Sequence, residues 1–333
     1  MTIESFPAFV VRKDDQGQVC SGIEQLDLDQ LPDADVLVRV RYSSLNYKDA
    51  LAASGHPGVV RTFPHVPGVD AAGTVVEDVT GSFSPGSEVI VTGYDLGGAH
   101  WGGYAEYIRV PVGWLVPLPA GLSLEESMIL GTAGFTAAQS VQALIHHAVG
   151  PQSGPVVITG ASGGVGCLSV AILARLGYEV VAVTGKPDAH DFLRQLGAAH
   201  VIGRDEVTDD GRKPLLAERW AGGVDTVGGA VLTNLLRSTQ HRGCVTACGL
   251  VAGTDLPLSV YPFILRGVTL AGIDSAQCPM AARREIWTKL AGEWKPDDLA
   301  SLATRIDLSQ LDEKIADILA GSIRGRVLVL PTA

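Results

Sequence analysis

The sequence predicts an α/β protein of two domains, a small, partly closed β-barrel and a doubly wound parallel sheet. Three observations predict it. Residues 1–122 are cut into short period-two segments by glycine and proline corners. From Gly154 onward, apolar strand-like runs alternate with helix-like runs, the βαβ rhythm of a parallel sheet. The length, 333 residues, suits two domains of roughly 100–200 residues each.

In the first region, Val36 to Tyr42 alternates as VLVRVRY, and Gly73 to Glu77, Glu88 to Thr92 and Tyr104 to Val110 read as further strands. Pro67-Gly68, Ser84-Pro85-Gly86 and Gly102-Gly103 mark the turns between them. The pattern changes at Ser123. Ser123 and Glu126 have the spacing of a capping box, ahead of a helical stretch, Leu122 to Ala143, interrupted by Gly131 and Gly134. Val156 to Thr159 is then a buried strand, and Gly164 to Leu176 a helix stopped by Gly177. A second strand follows at Glu179 to Val183, a helix at Asp188 to Leu196, and a third strand at His200 to Ile202. Val224 to Val227, Gly243 to Ala247 and Thr269 to Gly272 complete the parallel set. Beyond Ser275 come helices at Met280 to Glu293 and Leu311 to Leu319, and a last strand, Arg326 to Leu330. An apolar terminal strand must be buried, so it is expected to rejoin the first domain. The expected division is therefore 1–122, completed by 275–333, around a second, parallel-sheet domain at 123–274.

Composition narrows the function classes. Hydrophobic residues make up 46% and charged residues 18%, which fits a large buried core. The apolar stretch Val165 to Leu176 is broken by Gly166 and Arg175, well short of the ~20 apolar residues of a spanning helix. Residues 1–30 lack a basic start followed by an apolar block, so no signal peptide and a cytoplasmic location are expected. A formal net charge of −11 argues against nucleic-acid and anionic-membrane partners, yet permits a local basic pocket. The five cysteines, Cys20, Cys167, Cys244, Cys248 and Cys278, form no CxxC pair and read as reduced thiols.

The strongest motif is Val156-Val157-Ile158-Thr159-Gly160-Ala161-Ser162-Gly163-Gly164-Val165-Gly166, which leaves a strand and opens a helix. Gly163 lets the main chain approach a pyrophosphate, and Gly166 lets the helix pack on the strand. Free N–H groups and the positive end of the helix dipole then face the phosphates. Ala161 stands where the first glycine of the dinucleotide fingerprint usually stands. The end of the second strand discriminates between cofactors. NAD-binding folds place an acid there for the ribose 2′-OH. Here the residues are Thr184-Gly185-Lys186, and Arg204 follows the third strand. No acid repels a 2′-phosphate, Lys186 attracts it, and Arg204 can grip it with two N–H groups. NADPH is therefore the expected cofactor. Thr246-Ala247-Cys248-Gly249-Leu250 leaves another strand's carboxyl end, where Gly249 and Leu250 can pass under a nicotinamide ring.

Nearly the whole chain resembles the medium-chain dehydrogenases/reductases of the quinone oxidoreductase branch, and within it the acryloyl-CoA reductase subfamily. The matching segments are Ser43-Ser44-Leu45-Asn46-Tyr47-Lys48-Asp49, Pro67-Gly68-Val69-Asp70-Ala71-Ala72-Gly73 and His100-Trp101-Gly102-Gly103-Tyr104-Ala105-Glu106. Gly131-Thr132-Ala133-Gly134-Phe135-Thr136-Ala137, the glycine motif, Val224-Asp225-Thr226-Val227-Gly228 and Pro262-Phe263-Ile264-Leu265-Arg266 extend the match. The resemblance implies a GroES-like first domain rejoined by the C-terminus, a Rossmann domain between, and a homodimer joined through Rossmann edge strands. It implies reduction of acryloyl-CoA to propanoyl-CoA. It places cofactor contacts at Tyr47, Ser162, Gly163, Gly164, Val165, Gly166, Thr184, Gly185, Lys186, Arg204, Leu250, Ile264 and Ser275, of which Ile264 and Ser275 rest on the resemblance alone.

Zinc-dependent members of that superfamily carry cysteine where this chain has Asn46, and His-Glu where it has Val69-Asp70. A catalytic zinc needs three protein ligands, and Asp70 alone cannot supply them. Alcohol oxidation needs the metal to stabilise an alkoxide. Conjugate reduction of an activated double bond needs none. Hydride then reaches the β-carbon of an unsaturated carbonyl, charge moves to the carbonyl oxygen, and a proton reaches the α-carbon. Tyr47 is the candidate donor or positioning group, and equally a ring that packs on the cofactor. Asn46 and Lys48 are the neighbouring candidates. His100 and Trp101 read as a structural corner, His146 and His147 as a helix end, His56 and His65 as loop residues, and Arg61 as a surface cation. Reduction of quinones or free enones on the same scaffold is the alternative enzyme reading. A nucleotide-binding structural or sensing protein is the alternative outside catalysis.

Overall fold

The computed structural model describes residues 5–209 and 213–332. Its backbone divides into two compact units. One comprises residues up to Thr132, Ala276–Ala291 and the chain from Asp298 on; the other comprises Ala133–Ser275 and Gly292–Asp297.

The first unit begins with an antiparallel hairpin of β1 (Phe6–Lys13) and β2 (Val19–Leu26). Its turn is built by Asp14, whose carboxylate accepts the N–H groups of Gln16 and Gln18. Then come β3 (Val36–Ser44), α1 (Tyr47–Ala53), β4 (Asp70–Asp78), β5 (Glu88–Thr92), β6 (Tyr107–Val110) and β7 (Val116–Pro117). Alternation on β3 decides which core each side chain enters. Val36, Val38 and Val40 join Val89, Val91, Ile108 and Val110 in one cluster. Leu37, one residue out of phase, joins Phe6, Phe9 and Tyr104 in another. Each buried valine contributes about 1.5–3 kcal/mol as an upper bound.

Helix α2 (Leu124–His146) is opened by the expected capping box: Ser123 N–H donates to Glu126 Oε2 (2.9 Å), and Glu126 N–H to Ser123 Oγ (3.1 Å). Gly131 breaks the helix at φ 53°, ψ −156°, a conformation open in practice to glycine alone. Gly134, expected to interrupt it as well, stays helical. Reading two breaks hides the length of this element. It is long and apolar enough to cross a membrane, unlike Val165 to Leu176, but 72% of its most apolar stretch is buried inside the protein.

The second unit holds β8 (Val156–Ile158), α3 (Gly164–Arg175), β9 (Val180–Val183), α4 (His190–Gln195) and β10 (His200–Ile202). It continues with β11 (Trp220–Asp225), α5 (Gly229–Ser238), β12 (Thr239–Ala247), α6 (Tyr261–Arg266) and β13 (Thr269–Gly272). All six strands run parallel in the order β10-β9-β8-β11-β12-β13. Numbered within the unit, that is 3-2-1-4-5-6, the Rossmann order, whose switch point lies between β8 and β11. The β8 and β9 residues are buried on both faces, which is why they read as unbroken apolar runs. Three expectations shift. The helix expected at Asp188 to Leu196 is a 3₁₀ turn, Pro187–Ala189, followed by α4. Strand β11 starts earlier than Val224 and ends at Asp225. Gly222 and Gly223 look like a turn but lie within the strand, where a Cβ on Gly222 would meet Cys244 O at 2.9 Å. Strand β12 starts at Thr239 rather than Gly243.

The chain finishes in the first unit with α7 (Met280–Ala291), β14 (Ala303–Asp307), α8 (Leu311–Leu319) and β15 (Arg326–Leu330). The terminal strand, β15, lies in the first unit. It pairs with β3 through Leu328↔Ser44 and Val329↔Ser43, and with β14 on its other side. The sheet order is β14-β15-β3-β4-β5-β7, with β6 also on β3. The first unit is thus a GroES-like barrel, and the second a Rossmann fold.

Candidate functional site

In the second unit, nine of the expected residues converge at the carboxyl ends of β8, β9 and β10. The tight turn after β8 is made by Gly160 at φ 58°, one residue before the position the fingerprint assigns to its first glycine. Ala161 is therefore accommodated, fully buried, with its N–H donating to Val183 O. Gly163 caps α3, and the first intrahelical bond runs from Cys167 N to Gly163 O. The N–H groups of Gly164, Val165 and Gly166 precede that bond and have no partner within the helix. A Cβ at Gly166 would strike the backbone of Gly160 and Ala161, so glycine there sets how closely α3 approaches β8. A Cβ at Gly163 would meet only Gly160 O, at 3.4 Å, so the space above the turn is open. A cofactor diphosphate fits this cradle.

At the end of β9, Thr184 is buried and its hydroxyl donates to Ser162 Oγ (3.2 Å), tying the two strand ends together. The Lys186 N–H donates to Thr184 Oγ1 (3.1 Å). Arg204 comes across from the end of β10 and lays its guanidinium on Gly185. A Cβ there would sit 2.6 Å from Arg204 Nε and 2.7 Å from Cζ. Two cations thus flank a residue that has no side chain.

Beneath the cradle lies a buried carboxylate that sequence reasoning placed in a motif without a role. Asp225 ends β11; it accepts the Thr159 hydroxyl (2.7 Å) and the Gly228 N–H (2.7 Å). Burial pushes its carboxyl above the usual range. Thr226 locks β11 to β8 from the same place, its hydroxyl donating to Thr159 O and its N–H accepted by Thr159 Oγ1. Gly249 must be glycine because Thr226 O occupies the site of any Cβ. Cys248 Sγ lies 3.3 Å from Asp225 O, and burial pushes this thiol up to about 12. Leu250 and Ile264 stand 58% and 68% exposed on this unit. Ser275 follows β13, past Ile273, whose N–H donates to Ala247 O.

Asn46 and Tyr47 lie in the first unit. Asn46 caps α1: its N–H donates to Asp49 Oδ2 (2.8 Å), the third helical residue. Tyr47 is the first helical residue and is 37% exposed. The Asn46 side chain turns inward, where Nδ2 donates to Asp70 Oδ2 (2.8 Å). Asp70 is fully buried and also accepts Ser44 Oγ (2.5 Å), Thr132 N–H (2.9 Å) and Thr132 Oγ1 (2.6 Å). Asp49, equally buried, accepts the Val69 N–H (2.7 Å). Desolvation, with the nearby Asp70 charge, raises its carboxyl to about 7. Three other rings bond main-chain oxygens. His100 Nε2 bonds Arg109 O (2.6 Å), Trp101 Nε1 donates to Pro64 O (3.1 Å), and buried His65 bonds Gly97 O (3.1 Å). His146 and His147 sit edge-on at the end of α2.

Comparison with known proteins gives these units names. The alcohol dehydrogenase GroES-like domain family matches residues 32–120, and the zinc-binding dehydrogenase family matches residues 164–291. The acrylyl-CoA reductase AcuI of Ruegeria pomeroyi is 47% identical, over 97% of this chain and 98% of its own length. The yhdH oxidoreductase of Salmonella enterica, solved in complex with NADP, is 46% identical over 97% of this chain and 99% of its own, with a TM-score of 0.94. Protein yhfP of Bacillus subtilis, solved with NAD bound, is 45% identical over 98% and 99%, with a TM-score of 0.95. The zinc in one family's description does not fit the residues present. Among the described residues no group of three or more His, Cys, Asp or Glu is placed to hold a metal ion. Asp70, the one carboxylate at the expected ligand positions, has its oxygens taken by Ser44, Asn46 and Thr132. The chain belongs to the acrylyl-CoA reductase family of the medium-chain dehydrogenases/reductases.

Proposed function

We propose that the protein is an NADPH-dependent, zinc-independent reductase of the activated C=C bond of a short enoyl thioester, converting acryloyl-CoA to propanoyl-CoA. The observation that carries this reading is the 47% identity to an acrylyl-CoA reductase over almost the full length of both chains. The cradle supports it. Ser162 to Gly166 hold the diphosphate by main-chain N–H groups at the start of α3. Thr184, Gly185, Lys186 and Arg204 take the ribose 2′-phosphate, the two cations supplying the charge and Gly185 the room. Leu250, Ile264 and Ser275 are assigned to the nicotinamide half. When bound, NADPH supplies the hydride. The chain's own task is to orient the acceptor, offer donors to the thioester oxygen as it gains charge, and deliver a proton to the α-carbon. Tyr47 is assigned that proton or its positioning, and Asn46 is assigned the placement of Tyr47.

A homodimer is proposed through β13, the last strand of the second unit's sheet, which among the described residues is paired on one side, by β12. Val260, Tyr261 and Leu265 stand exposed on the adjoining segment, an apolar strip that a second copy would cover. A cytoplasmic location agrees with five free thiols.

The test is NADPH and NADH oxidation with acryloyl-CoA, in the presence of a zinc chelator, beside a simple quinone. The expected outcome is chelator-resistant turnover, NADPH preferred, and a higher kcat/KM for the thioester, whose remote nucleotide adds binding energy. A higher kcat/KM for the quinone would transfer the assignment to quinone reduction. NADPH binding with no turnover of either acceptor would favour a sensing or structural role.

A further inference from the structure

Arg326 opens β15 and is 3% exposed, yet nothing in the proposed reaction uses it. Its guanidinium is spread over the first unit's polar cluster. Nε donates to Ile129 O (2.9 Å), Nη2 to Ser44 Oγ (2.8 Å), and Nη1 to Leu45 O and Asn46 Oδ1 (both 3.3 Å). Ser44 Oγ donates onward to Asp70 Oδ2. The break at Gly131 makes this convergence possible. A Cβ there would lie 2.5 Å from Asp70 Oδ2, 2.7 Å from Ser44 Oγ and 3.0 Å from Arg326 Nη2.

The Asn46 amide is therefore gripped from both sides. Its oxygen faces a guanidinium and its nitrogen faces the Asp70 carboxylate. Turning the amide over would set NH₂ against the cation and C=O against the anion, losing both bonds and adding two repulsions. Asn46 is also the residue that caps α1, and Tyr47 is the next residue. Two carboxylates, Asp49 and Asp70, are buried in the same cluster, so a counter-cation inside it carries weight. A guanidinium can serve four acceptors in fixed directions; an ammonium cannot.

We infer that Arg326 is a positioning residue for the reaction: it locks the Asn46 amide, and with it the first turn of α1 that presents Tyr47. The inference rests on the assignment of Tyr47 made above.

The sequence offers a direct probe, because Asn46 and Asn234 are the only asparagines in the chain. Asparagine labelled with ¹⁵N gives two side-chain amide signals, and Asn234, bonded to Val207 O and Arg237 in the second unit, is an internal control. Arg326→Lys keeps a buried charge and is the main variant; Arg326→Met removes it, and if Met fails to fold the Lys variant still decides. With Arg326→Lys, the Asn46 amide protons should lose their protection from solvent exchange while those of Asn234 keep theirs. Turnover per NADPH-binding site should fall about 10- to 100-fold, the cost of a small misplacement. The KM for NADPH should stay within about twofold. Adding Arg326→Lys to Asn46→Ala should cost nothing further, since one link is already cut. A merely structural Arg326 would lower the melting temperature and leave the Asn46 signal and turnover per binding site unchanged, which overturns the inference. Losses that add in the double variant overturn it too, with Tyr47 untouched. Tyr47→Phe with undiminished turnover would instead remove the assignment on which the inference rests.

Discussion

Adding one methyl group at Gly185 should separate NADPH from NADH without removing any charge. A Cβ there would lie 2.6 Å from Arg204 Nε, and ordinary contact begins at 3.4 Å, so the guanidinium must retreat by about 0.8 Å. Arg204 is exposed, and its head can swing away, so Gly185→Ala should fold normally. A charge-assisted bond to phosphate near 2.8 Å would stretch to about 3.6 Å, where it no longer counts as one. Losing it costs about 1.5–3 kcal/mol, which is roughly 10- to 100-fold in Kd. Lys186 remains, so residual preference for the phosphorylated cofactor should survive. Titration calorimetry with NADPH and NADH on wild type and variant reads this directly. NADPH should weaken by at least about tenfold and NADH by less than about twofold. Gly185→Ala combined with Arg204→Ala should bind NADPH no worse than Arg204→Ala alone. Equal weakening of both cofactors would mean the methyl blocks the ribose pocket itself, and the reasoning about Arg204 would be refuted.

Gly131→Ala should lower the urea midpoint by the equivalent of about 3 kcal/mol or more, because the φ of 53° excludes a Cβ and Asp70 and Ser44 fill its place; a midpoint equal to wild type would contradict that geometry. Asp49 should make stability fall as pH rises from about 4 through 7. Its folded carboxyl titrates near 7 against 3.8 unfolded, so the native state holds the extra proton throughout that window. Urea unfolding at pH 5 to 8 should show the advantage of wild type over Asp49→Asn shrinking as pH rises, by up to about 1.4 kcal/mol per unit, and a constant difference would exclude the linkage. At pH 8 a thiol reagent should modify Cys20 first. Cys167, Cys244 and Cys278 are buried, and Cys248 is a thiol held near 12; mass spectrometry finding Cys248 labelled as fast as Cys20 would show that its surroundings open.

Legibility of the fold followed the source of each element's stability. Strands β5, β10, β13 and β15 and helix α8 have the bounds the sequence implies. Each is an apolar or amphipathic run with a clear stop. The hairpin of β1 and β2, by contrast, has a half-exposed second strand and a proline in the first. Helix α5 starts on two glycines at positive φ, Gly228 and Gly229, which read as a loop until Ala252 and Leu250 are seen packed where their side chains would be. Strand β14 is mostly polar and is held by its parallel pairing to β15, a partner the local pattern cannot reveal.

The turn proposed as the nucleotide cradle has a signal of the same local kind: the strand, the glycines and the start of the helix after them follow one another directly in the sequence. Even there the tight turn sits on Gly160, because a strand leaving at positive φ needs its glycine one step earlier when Ala161 fills the core. The other polar centre is of a different kind. Asn46 and Asp49 carry a readable signal, the spacing of a helix cap, and that signal explains the backbone of α1. What the cap cannot tell is where the Asn46 side chain goes. Its direction is set by Asp70, Thr132 and Arg326, which arrive from a strand, a broken helix and the C-terminal strand. Arg326 is 280 residues from Asn46 and is brought to it only because β15 pairs with β3. A motif at Asn46-Tyr47 therefore identifies which residues are candidates for chemistry, while the closing strand of the barrel determines whether they are held in a single arrangement.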